Sequence, residues 1–171
     1  VFCAWFTTLG LALLAGCSPA LDWRELTVEG SGASALFPCR PENRVRQVNL
    51  AGMSVQMHLA SCTASGMNFA VSHLDVGDPS KAEQALEQLQ LVTAANMGGT
   101  PTVIGPYNVP GMTPSPLARR VAVKGAGDGG AAIEAEMIYF SRGSVVYQGT
   151  LVGSHLDKEA TNTFFASLKT E

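Results

Sequence analysis

The side chains able to do chemistry are few in this chain of 171 residues: His58, His73 and His155, together with Cys3, Cys17, Cys39 and Cys62. Metal sites need ligands at a workable spacing, such as His-x3-His on a helix or Cys-x2-Cys, and neither occurs. Acyl transfer calls for Gly-x-Ser-x-Gly. Gly30-Ser31-Gly32 is instead a tight turn, and Gly143-Ser144 a hairpin corner. Glu134 and Glu136 lie two apart on one face of a strand, but the solvated edge of a half-buried strand explains them better than a glycosidase pair does. Gly125 to Gly130 is glycine-rich like a phosphate loop. It lacks Gly-Lys-Ser/Thr and precedes no helix, so it reads as a hairpin turn. No catalytic residue, metal ligand or cofactor is therefore assigned. The chain is read as non-enzymatic, with a hydrolase of unrecognised site kept as an alternative.

The apolar stretch from Val1 to Gly16 carries no charge and ends in small residues, as a secretory h-region and its processing site do. It is shorter than the ~20 apolar residues that a spanning helix needs. Leu14-Ala15-Gly16-Cys17 resembles the lipobox of bacterial lipoproteins. That resemblance implies a signal peptide over 1–16, cleavage before Cys17 and acylation of its sulfur with palmitate-type chains. More than one acyl chain gives a stable membrane anchor. Residues 17–21 would be the lipidated Cys and its tether, and 22–171 a single domain. Ser18 in place of Asp implies the outer membrane, with the domain facing the periplasm. The alternatives are an ordinary secretory signal with a chance Cys and a short buried apolar segment. The first residue is Val and no basic n-region precedes the apolar run, so the true start is expected upstream.

The net charge of −3 falls entirely in the domain, and there is no basic patch. Nucleic-acid binding is disfavoured. Arg119-Arg120 are the adjacent basic pair, and a solvated strand end accounts for them. With Cys3 in the leader and Cys17 acylated, Cys39 and Cys62 remain. In an oxidising compartment they read as one disulfide, with two reduced buried thiols as the other reading.

Strands must position these groups. Alternation and turn residues predict strands over 23–28, 33–37, 45–50, 53–62 and 67–76. In the fourth, Val55, Met57 and Leu59 share one face; Gln56, His58 and Ala60 share the other. A tight turn at Ala51-Gly52 sets Cys62 opposite Pro41, two residues from Cys39. Both thiols then reach one end of the sheet, within the ~7 Å between Cα atoms that a bridge requires. Pairing about a turn from Cys62 to Gly66 sets His58 opposite Ala70 and His73 opposite Val55, with the rings on opposite faces. A slip of one residue would put them on the same face.

Asp78 and Pro79 start a helix whose stripe is Ala82, Ala85, Leu86, Leu89, Thr93 and Met97, with Gln90 elsewhere around it and Gly98-Gly99 ending it. Residues 100–116, rich in Pro and Gly, are expected to be one long irregular connection. Tyr107, Asn108 and Met112 are its candidate contacts with a ligand or partner, although a rigid strap over a sheet edge is the simpler reading. Strands follow over 117–124, 131–140 and 144–152, then a helix capped by Asp157 with Ala160, Phe164, Phe165 and Leu168 on its apolar side. Tight turns between successive strands make the sheet mainly antiparallel, and two amphipathic helices must bury their stripes on it. This is an α+β layered domain.

Phe37-Pro38 after a strand, a meander, one long helix, a Pro/Gly strap and a terminal helix over Phe164-Phe165-Ala166-Ser167-Leu168-Lys169 together resemble the Mog1/PsbP-like fold. The resemblance implies an α/β/α sandwich and, among bacterial members, envelope lipoproteins. The expected function is binding or scaffolding of another envelope component by a membrane-anchored lipoprotein. The alternative is a small-ligand binder with a pocket between the 100–116 segment and the sheet.

Overall fold

A computed structural model describes residues 21–50 and 52–171. The proposed signal peptide and Cys17 lie outside the described residues. The strands are β1 (Arg24–Val28), β2 (Ala33–Phe37), β3 (Glu42–Leu50), β4 (Met53–Ala64), β5 (Met67–Asp75), β6 (Thr100–Pro106), β7 (Arg119–Ala126), β8 (Ala132–Arg142), β9 (Val145–Gly153) and β10 (Lys169–Thr170). The helices are α1 (Ala82–Asn96) and α2 (Lys158–Ala166). Strands β3-β4-β5-β9-β8-β7-β6 form a seven-stranded sheet, and β1-β2-β10 form a small one. Every pairing is antiparallel. The α+β class is the one the strand and helix signals require.

The large sheet is covered on both faces, which explains its apolar central strands. Along β8, Ala135, Met137 and Tyr139 join the core under α1, while Ile138 and Phe140 join the core under α2 and the small sheet. In β4, Val55 and Met57 lie against the α1 core, whereas Ala60 and Cys62 belong to the other. Phe164 of α2 meets Phe37 and Phe69 edge-on, each at 5.5 Å between centroids.

Local signals place both helices. Asp78 accepts from the Ser80 backbone N–H and opens a short 3-10 turn, Pro79–Lys81, that leads into α1. Gly98, at φ +60°, follows the helix in the left-handed conformation that glycine adopts at low cost. Asp157 accepts from Ala160 N–H at the start of α2. Gln90, set outside the buried stripe by its spacing, is instead buried. Its amide donates to the Leu117 carbonyl at 3.1 Å and accepts from the Arg119 guanidinium. The terminal helix stops at Ala166, and Lys169–Thr170 leave it to pair with β2.

The expected register of β3 and β4 is the observed one. Glu42 opposes Ser61, one step short of Pro41 and Cys62, and a disulfide joins Cys39 to Cys62 with Cα atoms 6.0 Å apart. The segment 100–116 is not one irregular connection. Its first seven residues are β6, the edge strand beside β7, with a bulge between Val103 and Gly105. Proline and glycine mislead here because an edge strand pairs on one side only, so it tolerates Pro101 and Pro106.

Candidate functional site

Two surface hollows bring together the chemistry-bearing and contact residues. The first lies along the loop 107–118. Tyr107, Asn108 and Met112 line it with Pro106, Pro114 and Ser115, around an open volume of about 570 Å³. The structure thus gathers the three candidate contact residues on one surface. The loop is pinned along its length. Tyr107 N–H donates to Ala118 O at 3.0 Å, Thr170 N–H donates to Pro110 O at 2.9 Å, and Thr113 bridges to Ser141. Gly111, at φ +84°, lies so close to Thr170 that any Cβ would collide with its carbonyl. The loop also packs inward. Val109 and Ala118 are buried, and Tyr107 meets Phe165 edge-on at 6.4 Å. Burial raises the Tyr107 phenol pKa, against the opposing effect of the Arg120 cation.

Arg119 and Arg120 are not a solvated strand end. The Arg120 guanidinium pairs with Glu136, donates to Asn162 Oδ1 at 3.0 Å and lies 5.2 Å from the centre of the Phe165 ring. Glu134 pairs with Lys124 at 3.2 Å. The two carboxylates are thus separate partners of two cations on β7. Lys124, through its hydrogen bond and its charge, holds Glu134 below the usual carboxylate range. Spacing alone missed Arg120, because its partners come from β8 and α2, far away in the chain.

The second hollow lies between the β1–β2 turn and the β3–β4 edge, with a volume of about 300 Å³. His58 and His73 form its floor. They do not point to opposite faces: they are direct cross-strand partners, stacked at 4.9 Å between centroids and 15° from parallel. The turn that sets this register is the two-residue loop Ser65-Gly66, both residues at positive φ (+50° and +74°), with Ala64 opposite Met67. Positive φ at both central residues is the type I′ pattern, whose twist suits a hairpin. Treating Ser65-Gly66 as the whole turn would have paired the histidines from sequence.

The row continues across the sheet. His73 opposes Tyr147 on β9, and Tyr147 opposes Phe140 on β8 and stacks on it at 4.8 Å. The Tyr147 hydroxyl donates to the Ser31 carbonyl in the β1–β2 turn at 2.5 Å. His73 is only 4% exposed, and its Nδ1 has no hydrogen-bond partner. Burial first, and the neighbouring His58 second, depress its pKa to about 4. Among the described residues no three His, Cys, Asp or Glu side chains gather as metal ligands. His155, the third histidine, is exposed near Glu134, far from the stacked pair in the chain. No helix among the described residues is long and apolar enough to cross a membrane.

No protein-family model matches the chain, and no curated protein matches it either.

Proposed function

We propose that this protein is an exported, lipid-tethered binding module of the bacterial cell envelope, held to the outer membrane through acylated Cys17. It docks another envelope protein through the loop surface of Tyr107, Asn108 and Met112 and carries out no reaction itself. The observation that carries this reading is where the loop lies relative to Leu21. Leu21 packs beside Ser65, Gly66 and Met67 at the β4–β5 turn. Three residues separate it from Cys17, four steps of chain that reach at most about 14 Å. From Met67, β5 runs nine residues to Asp75, roughly 27 Å at the usual strand rise. The loop 107–118 is fastened at that far end of the sheet, to Ser141 and Gly143. A bilayer at Cys17 would leave this surface pointing outward.

The Cys39–Cys62 bridge suits an oxidising compartment. A helix on one face of the sheet, with a helix and a small sheet on the other, supports the finer reading of a Mog1/PsbP-like sandwich. The open hollow at the loop favours a protein partner over a small ligand, which would need an enclosed cavity. The hydrolase alternative is the weaker one. A catalytic histidine needs an orienting partner on Nδ1, and His73 has none.

Two measurements test the reading. Mass spectrometry of the native mature protein should find an acylated Cys17 at the N-terminus; an unmodified thiol with the leader attached overturns the anchor. A photocrosslinker at exposed Asn108, used in intact cells, should give one discrete adduct that Tyr107→Ser and Met112→Ser each weaken. Equal labelling from a control position at Ser154 overturns the docking surface.

A further inference from the structure

The stacked histidines lie under a turn that belongs to the small sheet and not to the large one. The β1–β2 turn, Val28 to Ser31, is closed on itself by Ser31 N–H and Oγ, which both donate to Val28 O. It is fastened to the large sheet by Tyr147 Oη to Ser31 O and by Asn43 Nδ2 to Glu29 Oε2 at 3.2 Å. A Cβ built on Gly30 would lie 3.9 Å from His73 Nε2, so the turn passes over that ring with room for about one methyl group between them.

We propose that the His58–His73 pair is an acid-sensitive latch: a proton taken up from solvent by His73 lifts the β1–β2 turn and opens the 300 Å³ hollow beneath it. Protonation puts a cation and a second N–H donor on a buried ring whose Nδ1 faces no acceptor. Lifting the turn uncovers the Nε2 edge of the ring and lets water solvate the new cation. The stack at 4.9 Å adds repulsion whenever both rings are charged.

The surrounding groups do not remove the penalty. From β4 the ring faces His58, and from β9 the Tyr147 phenol. From the turn, the Glu29 carboxylate lines the same hollow but is engaged by Asn43. From β3, Arg44 lines the rim as a cation and is paired with Glu42 at 3.0 Å. Asp75 and Arg142 act on Tyr147, the next ring in the row, and Asp75 is held by Ser144 and Gly77. Glu29 and Arg44 thus oppose each other across the hollow.

Amide hydrogen exchange on the disulfide-intact chain between pH 7.5 and 4.5, corrected for intrinsic rates, tests the latch. The opening constant at Ser31 and Ala33 should rise as pH falls below about 6.5, by up to tenfold per unit for one proton, while the amides of α1 keep their protection. In His73→Phe the rise should vanish. The same rise in His73→Phe, or pH-invariant exchange at Ser31 in the wild type, overturns the proposal. Should His73→Phe not fold, the wild type decides: with exchange followed down to pH 3.5, the Ser31 opening must level off at the pH where the His73 ring titrates by NMR, and levelling at a different pH, or none, overturns the latch.

Discussion

His58 and His73 face each other across β4 and β5, their rings 4.9 Å apart and 15° from parallel. One ring is half-buried and the other almost wholly so. Together with Tyr147 and Phe140 they form a row across four strands, roofed at the histidine end by the β1–β2 turn.

Acid should weaken the whole fold through this row. The folded-state pKa of His73, about 4, lies below the ordinary value of 6.5, so the unfolded chain binds more protons between these limits. The contribution is fully present above pH 6.5, falls as pH drops through the interval, and is flat below about 4. The loss reaches at most about 3 kcal/mol. Urea unfolding from pH 7.5 to 4 should show this slope in the wild type and lose it in His73→Phe. The carboxylates of Asp75 and Asp78, held low by their hydrogen bonds, add their own loss only at lower pH.

The Cys39–Cys62 bridge closes a loop of 23 residues in sequence separation. A cross-link of that size stabilises by about 3 kcal/mol in the chain-entropy model. A reductant should lower the unfolding midpoint of the wild type and leave that of Cys39→Ser/Cys62→Ser unchanged. An equal effect on both proteins would mean that the bridge contributes nothing.

Gly149 is held to glycine by close packing. A Cβ there would lie 2.9 Å from Leu168 Cδ1 and 3.0 Å from Ile138 Cγ1. Gly149→Ala should cost about 1–3 kcal/mol by overpacking. Adding Leu168→Ala should cost less in that background than in the wild type, read by thermal or urea unfolding.

Arg120 ties three elements together through Glu136, Asn162 and the Phe165 ring. Both charged side chains are largely covered, at 20% and 24% exposure. Arg120→Ala should destabilise by about 1–3 kcal/mol, since a charged hydrogen bond and a covered ring are lost together. A double-mutant cycle with Glu136→Ala should show clear coupling. Additive effects would mark the pair as energetically idle.

Much of this architecture was legible in the residues. Period-two alternation located eight of the strands, and Asp78 and Asp157 marked both helix starts. The tight turn around Gly52 carried enough geometry to set the β3–β4 register and so the disulfide. The same reasoning failed one hairpin later. A turn counted from Cys62 absorbs Ser65-Gly66, and the odd shift in register sets His73 on the face opposite His58. Residues 100–106 were hidden by Pro101, Gly105 and Pro106, which punctuate loops and edge strands alike.

The sequence by itself determined what depends on near neighbours: which segments alternate, where helices begin, which turn brings two thiols together. These follow from backbone conformations and side-chain periods that a few adjacent residues dictate. Only the tertiary structure decided that His58 stacks on His73 under a turn from another sheet, that Arg120 is enclosed, and that β6 ends the sheet. Each of these depends on groups far apart in the chain, whose meeting is set by which faces of the sheet find cover.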